Sequence, residues 1–395
     1  MDFVPIVAPP VDEAASAWIC GQLRTYRARL LRQLLGTALP RFLGSLGPDE
    51  APVGHYLEWL CACWSDDPEQ FWRHADHWAP TFFLSRLAQA ATPGERHAAA
   101  RCLANLAGPG AGSTPPGSLQ PPDNGQGLPM SVFERSDVLG VAADAGDPSG
   151  VPPFAVSVAA AFATIERLWP ELSSWVVALT PAVASLGVPA TPDLTRSQSY
   201  GPGCPIFLSQ VRDPFRHAED LLHEVQHHRF QLWALDHPLP GLLDEGRRFV
   251  SPYRADIRPL SGLHLGLHAF VTVNELRLRA MAAGDAGVVR RRALLRMHYS
   301  NLFAFATITE HEVCGDEGRR YLAAVAERLA DHDRRIGPLV RPEERRDLDA
   351  AFDDHCARLV AASPDREPLN VDRRYRRWED AAAQADELAS GGVVA

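Results

Sequence analysis

The stretch "AEDLLHEVQHHRFQLWALD", from Ala218 to Asp236, contains the pattern HExxH. His223 and His227 are four residues apart, and Glu224 directly follows the first histidine. Because residues four apart lie on one face of an α-helix, both imidazoles can reach the same metal ion. The apolar residues that would bury this helix are Leu221, Leu222, Val225 and Leu232. We therefore predict a metal-binding helix that begins near Pro214 and ends near Leu235.

The role of the glutamate depends on what else binds the metal. In a zinc peptidase, Glu224 would act as the general base toward a metal-bound water. A metzincin site is excluded, because Phe230 and Trp233 occupy the positions of its glycine and third histidine. A thermolysin-like site would take its third ligand from a downstream glutamate, for which Glu245 is the candidate. The third ligand therefore decides which chemistry the metal supports.

Further candidates for the third ligand lie on the segment "LHLGLHAFVTVNELRLRAMAA", which is predicted to form a second apolar helix. His264 and His268 are four residues apart, and Glu275 follows seven residues later, so all three share one helical face. His268 is the preferred third ligand, with His264 and Glu275 as alternatives. The other interpretation, a hydrogen-bonded histidine of the core, stays open for both histidines.

The loop "SPYRADIRPLSG" before this helix places Arg254 and Arg258 on either side of Asp256. A guanidinium group binds a carboxylate through two parallel hydrogen bonds, so the loop could hold a dicarboxylate cosubstrate. Alternatively, it is a structural network of arginine and aspartate. Pro259 stiffens the backbone after Arg258, and Arg254 can pair with Asp256. We therefore expect Arg258 to be the cosubstrate anchor and Arg254 its structural neighbour.

Composition excludes several classes of function. The protein has 395 residues and a formal net charge of −10, which argues against a general nucleic-acid or anionic-membrane surface. There is no apolar run of about 18 residues and no secretory signal pattern. The seven cysteines form no CxxC pair, as expected of reduced thiols in a cytoplasmic protein. No lysine is present, so a lysine Schiff base and a Walker-type phosphate site are excluded.

The predicted fold is mainly α with a small β component, in which the HExxH helix packs against the second apolar helix. Residues 1–107 are predicted to be helical, and the Gly-, Pro- and Ser-rich residues 108–129 to form a linker or long loop. Residues 130–365 would form the metal-binding catalytic region, including a few short strands. Residues 366–395 are predicted to be a polar C-terminal tail.

The runs "LLHEVQHHRFQLWALD" and "VSPYRADIRPLSGLHLGLHAFVTVNEL" resemble the HExxH-motif domain family. These are 2-oxoglutarate-dependent peptide β-hydroxylases of pathways that modify ribosomally made peptides. The resemblance extends over about residues 190–280 and includes the serine-rich run "TRSQSYGPGCPIFLSQ". The sequence departs from the family pattern at His268, where tyrosine is common.

The resemblance implies iron rather than zinc, 2-oxoglutarate as cosubstrate, and a precursor peptide as substrate. It also implies a pathway that can include a radical-SAM maturase. Glu224 would then orient His227 or a bound water rather than act as a peptidase base. Two alternatives stay open at this point: a zinc metallopeptidase that uses Glu224 as base, and a non-catalytic peptide-binding protein with a degenerate metal site.

Overall fold

The computed structural model describes residues 12–33, 58, 82–83, 86, 130–136, 139, 141–191, 195–237, 239, 242, 246–285, 288–312, 315–362, 368, 370 and 378–390. These residues form a mainly α-helical fold with two small β-sheets, as the sequence predicts. The protein divides into an N-terminal unit, residues 10–232, and a C-terminal unit, residues 233–395. The predicted linker 108–129 and most of the predicted helical region 1–107 lie outside the described residues.

The N-terminal unit contains a four-stranded sheet in the order β1-β2-β4-β3. The strands are β1 (Ser131–Phe133), β2 (Ala182–Ser185), β3 (Ser197–Ser199) and β4 (Ile206–Leu208). Strands β1, β2 and β4 are parallel, whereas β3 runs antiparallel to β4. Strands β2 and β4 are buried along their whole length, which explains their continuous apolar sequence. The less buried β3 forms one edge of the sheet and carries polar side chains.

Helices α1 (Glu13–Gln33), α2 (Phe154–Leu168) and α3 (Pro170–Leu179) also belong to the N-terminal unit, together with most of α4 (Pro214–Asp236). Helix α4 is the predicted HExxH helix, and its observed bounds confirm the predicted ones. The boundary between the two units falls between Leu232 and Trp233, inside α4. The sequence did not indicate this division, because the helix carries no linker composition there.

The C-terminal unit consists of a short hairpin and five helices among its described residues. The elements are β5 (Phe249–Val250), β6 (Ile257–Arg258), α5 (Leu260–Ala282), α6 (Val288–His311), α7 (Asp316–Ile336), α8 (Pro342–Ala361) and α9 (Trp378–Ala389). Helix α5 is the predicted second apolar helix, and it packs against α6 and α7. None of the described helices of the protein combines the length and the apolar composition that a membrane crossing requires.

Residues 378–389, within the predicted polar tail 366–395, form helix α9. Helix α9 packs against α6 and α7 through the buried side chain of Trp378. The indole Nε1 donates a hydrogen bond to Asp333 at 2.7 Å, and the same carboxylate oxygen is 3.1 Å from His298 Nε2. The sequence prediction missed this helix because its apolar face consists mostly of alanines, which give a weak periodic signal.

Glu275 is the centre of a buried ion network in the C-terminal unit. Its carboxylate accepts hydrogen bonds from Arg279 Nε and Arg335 Nη1, both at 2.8 Å, and from His332 Nε2 at 3.1 Å. Burial opposes ionisation, but the hydrogen bonds and nearby positive charges outweigh it and lower the pKa of Glu275 to about 2. Burial lowers the pKa of His332 to about 4, although the Glu275 carboxylate acts in the opposite direction. The network therefore holds an ionised glutamate against a neutral histidine.

We expect the C-terminal unit to lose stability as the pH falls from about 6.5 toward 4. Over this window the unfolded protein protonates His332 and the folded protein does not, since the pKa is about 6.5 in the unfolded state and lower in the folded state. Between pH 7 and pH 5, this linkage is worth about 2 kcal/mol of unfolding free energy. Urea denaturation of wild type and His332→Gln would measure it, with a shallower pH dependence expected for the variant. Equal dependence in both proteins would contradict the assignment, and His355→Gln is the control.

Candidate metal site

The HExxH residues lie in the middle of helix α4, where Glu224 is buried and the two histidines are partly buried. Asp213 precedes the helix and accepts a hydrogen bond from the backbone N–H of Phe215 at 3.0 Å. The predicted apolar stripe is confirmed, since Leu221, Leu222, Val225 and Leu232 are fully buried. This burial fixes the rotation of the helix about its axis. Because of their spacing on the helix, His223, Glu224 and His227 form one cluster.

The two histidines converge on one point. The Nε2 atoms of His223 and His227 are 2.9 Å apart, and their ring centroids are 4.3 Å apart. Burial lowers the pKa of His227 to about 4, so this imidazole is neutral at physiological pH, as metal binding requires. Among the described residues, Nδ1 of His227 has no hydrogen-bond partner, so packing rather than a hydrogen-bond acceptor behind the ring orients it.

The spacing of the Nε2 atoms suits a metal ion. Two ligand atoms that are each about 2.1 Å from an ion and 2.9 Å from each other subtend an angle of about 90° at that ion. The same distance also suits a hydrogen bond between the rings, which is the contact they make here.

Glu224 lies beside the histidines and is tied to strand β3. One carboxylate oxygen lies within 4.8 Å of a ligand atom on each histidine. Its Oε2 atom accepts a hydrogen bond from Ser199 Oγ at 2.8 Å, and the nearby hydroxyl of Ser197 also favours the ionised carboxylate. Burial raises the pKa of Glu224, while the two serine hydroxyls act to lower it. Sequence reasoning did not single out these two serines, although their alternation in "TRSQSYG" was a usable signal.

A second buried acidic group lies one turn before the motif. Asp220 forms an ion pair with Arg216 at 3.0 Å, and Arg216 also contacts Glu219 at 3.3 Å. Burial raises the pKa of Asp220 to about 7, because it outweighs the effect of the Arg216 charge and the negative charges of Glu219 and Glu224 add to it. The face of α4 that carries Glu224 is therefore acidic and shielded from solvent.

The predicted arginine loop forms the turn of the β5–β6 hairpin in the C-terminal unit. Arg258 holds Asp256 through both carboxylate oxygens, with Nε–Oδ1 at 3.0 Å and Nη2–Oδ2 at 2.9 Å. Arg254 reaches Asp256 only at 3.7 Å, and 66% of its side chain is exposed. The expected ion pair of Arg254 with Asp256 is therefore present, but Arg258 makes the closer contact, through two hydrogen bonds. Arg258 lies two residues after Asp256, in strand β6 of the hairpin. One edge of its guanidinium faces the Asp256 carboxylate.

Two glycines of helix α5 allow this loop to lie close against the helix. A Cβ atom at Gly266 would lie 2.6 Å from the ring of Tyr253, and one at Gly262 would lie 3.0 Å from Cδ of Arg258. Tyr253 stacks on Phe270 and donates a hydrogen bond to Asn301 at 3.0 Å. The loop is thus a rigid part of the C-terminal unit, which limits the positions that Arg254 can reach.

The remaining candidate ligands also lie in the C-terminal unit. His264 pairs with Glu312 at 2.7 Å, and both side chains are fully buried. His268 is fully buried, and its ring packs 6.3 Å from that of Tyr321. Glu275 belongs to the ion network described above, which accounts for its carboxylate without a metal. Glu245 lies outside the described residues, and the role of His268 as third ligand stays a prediction.

Comparison with known proteins adds no assignment to this geometry. No protein-family model matches the sequence, and no curated protein matches it. The site is therefore interpreted from its own residues. Among the described residues, the cluster of His223, Glu224 and His227 is the one group of three potential ligands with metal-binding spacing.

We expect His223→Ala and His227→Ala each to weaken the binding of a divalent metal. The loss should exceed the roughly 100-fold that removing a hydrogen-bond partner of a ligand costs, because a ligand itself is removed. Competition with a chelator, followed by metal analysis, measures it. His237→Ala is the matched control, since this histidine follows the same helix and stacks on Trp233. Full metal retention in both alanine variants would contradict the site.

Proposed function

We propose that the protein is an iron(II)- and 2-oxoglutarate-dependent hydroxylase, which oxidises a C–H bond in a residue of a ribosomally made precursor peptide. The oxidised bond lies in the side chain of that residue. The observation that carries the proposal is the convergence of the His223 and His227 Nε2 atoms at 2.9 Å beside Glu224. Imidazole and carboxylate groups are ligands that iron(II) accepts, so the cluster is compatible with iron. The resemblance of the HExxH helix and the arginine loop to the HExxH-motif domain family supports the same assignment.

The environment of Glu224 supports an orienting role rather than a hydrolytic one. A peptidase base needs a carboxylate that is free to take a proton from the attacking water. Here the Ser199 hydroxyl donates a hydrogen bond to Oε2, and the Ser197 hydroxyl lies nearby and also favours the ionised carboxylate. The carboxylate is also almost completely buried. These contacts favour a fixed acceptor that holds a neighbouring ring or a bound water in place.

Iron(II), 2-oxoglutarate and dioxygen would together supply the oxidation of an unactivated C–H bond, with one oxygen atom entering the product and the other entering succinate as carbon dioxide is released. The protein's own contribution is to bind and orient these groups. His223 and His227 would hold the metal, and His268 is the proposed third ligand. Three protein ligands would leave positions open on the iron for the cosubstrate and dioxygen.

Arg254 is the better candidate for the carboxylate of 2-oxoglutarate. The guanidinium of Arg258 already has its Nε and Nη2 groups engaged by Asp256. Arg254 is largely exposed and makes only a 3.7 Å contact with the same aspartate, so its parallel donors remain available. The proposed anchor is therefore Arg254 rather than Arg258, because a guanidinium that Asp256 already holds has fewer donors left for a cosubstrate. Asp256 keeps Arg258 folded back along the loop.

The raised pKa of Glu224 is the one observation that favours a zinc peptidase as second candidate. A carboxyl group with a raised pKa is a stronger base, as hydrolysis requires. The net charge of −10 and the absence of lysine do not distinguish between the two functions. Within the proposal, the protein works in the cytoplasm on a peptide of its own pathway, where a radical-SAM maturase can act on the same peptide.

For the cosubstrate anchor, we expect Arg254→Lys to raise the dissociation constant of 2-oxoglutarate by roughly 10- to 150-fold. This corresponds to the loss of one charge-assisted hydrogen bond, since lysine keeps the charge but not the parallel donors. Titration of 2-oxoglutarate into the anaerobic iron(II) protein, followed by charge-transfer absorption, measures the effect. Arg258→Lys is the matched variant and should bind more tightly than Arg254→Lys. The opposite order would return the anchor to Arg258, and unchanged binding in both would make the loop structural.

For the reaction, we expect the protein to form succinate from 2-oxoglutarate and to add one oxygen atom to a peptide encoded near its gene. The assay contains iron(II), ascorbate and 2-oxoglutarate, and the products are measured by mass spectrometry. His223→Ala should abolish both products, because the metal is lost. Peptide cleavage that persists with zinc and without 2-oxoglutarate would identify the peptidase instead.

A further inference from the structure

Strand β3 and the residues just before it present a row of hydroxyl groups. Thr195, Ser197 and Ser199 alternate along the sequence, so their side chains lie on the same face of the extended segment. Gln198 lies on the opposite face, where its amide is 3.5 Å from the hydroxyl of Tyr200. The row belongs to an edge strand, because β3 pairs only with β4 in the described sheet.

This row lies alongside the polar side of helix α4. Thr195 Oγ1 accepts a hydrogen bond from Arg216 Nη2 at 3.3 Å, and Ser199 Oγ donates to Glu224 at 2.8 Å. Four residues in an extended conformation span about 13 Å, and eight residues of helix span about 12 Å. The segment 195–199 therefore runs alongside residues 216–224 of the helix, and each of these hydroxyls meets a charged residue of α4.

We infer that Ser197 and Ser199 are positioning residues that fix the Glu224 carboxylate beside the two histidines. Glu224 is 3% exposed, so its carboxylate has little contact with solvent while the serine hydroxyls are in place. The carboxylate lies one residue from His223 along the helix, and the serines determine which way its oxygens point. The consequence for metal binding rests on the proposed function, whereas the positioning itself does not.

The first test needs no metal. Crystal structures of the metal-free wild type, Ser197→Ala, Ser199→Ala and the double alanine variant would show the Glu224 carboxylate directly. The expected result is a new rotamer of Glu224 in the double variant and the original rotamer in Gln198→Ala. An unmoved Glu224 in the double variant would overturn the positioning role. If the double variant fails to fold, the single variants serve as the test, because each should disorder or reorient the Glu224 carboxylate.

The second test measures the consequence at the histidines with cobalt(II) as probe. Loss of a group that orients a metal site from outside the ligand set typically weakens metal binding 10- to 100-fold, so the double alanine variant should show a cobalt dissociation constant raised by about that factor. Its visible absorption spectrum should change as well, which a remote structural effect would not cause. Ser199→Thr keeps the hydroxyl and should restore wild-type values. Gln198→Ala, on the other face of the strand, should match the wild type.

The two tests separate the positioning role from the proposed function. If wild type binds no cobalt, the proposed function fails, and the positioning role is still decided by the rotamer of Glu224 in the metal-free variants. If wild type binds cobalt and the alanine variants bind it with the same affinity and spectrum, the serines do not act on the site and the inference is overturned.

Discussion

The N-terminal unit depends on satisfying the polar side chains that helix α4 buries. Burying a charged or polar group without a partner costs several kcal/mol, because the group loses water and gains nothing in return. His217, Glu224 and His228 all lie on this helix and are almost completely buried. Each finds its partner on a different element. The elements around α4 therefore have to meet it in one specific arrangement.

These partners explain why the surrounding segments are where they are. His217 lies between the Ser157 hydroxyl of α2 at 2.6 Å and the carbonyl of Ser209 after β4 at 2.8 Å. His228 Nδ1 is 3.2 Å from the carbonyl of Leu179 at the end of α3. Glu224 takes its hydrogen bonds from β3. Together these contacts hold the helix at a fixed rotation, which determines what surrounds the two HExxH histidines, whereas their proximity to each other follows from the four-residue spacing.

The position of the arginine loop in the C-terminal unit depends instead on how closely its side chains approach the backbone of helix α5. Glycine at 262 and 266 leaves room for the stem of Arg258 and the ring of Tyr253. Any larger residue would push the loop away from helix α5. The sequence pointed to the right loop and the right charged residues. It did not show which arginine Asp256 would hold, because both are two residues away and only the hairpin backbone distinguishes them.

The sequence by itself determined the features that depend on local spacing. The four-residue interval between His223 and His227 places both on one helical face in any fold, and the apolar periodicity marked the bounds of α4 and α5. The few short strands predicted for residues 130–365 are also present, among them the buried strands β2 and β4. Such patterns are interpreted correctly because the geometry of a helix or strand repeats over a few residues.

Only the tertiary structure decided which distant groups meet. The hydrogen bond between Ser199 and Glu224 joins residues 25 positions apart, and the ion pair between Glu275 and Arg335 joins residues 60 apart. Glu275 had the helical spacing of a metal ligand, yet packing against α7 gave it a structural role. Helical spacing specifies a face but not what that face contacts. The contact is set by how whole elements pack, which no short stretch of sequence encodes.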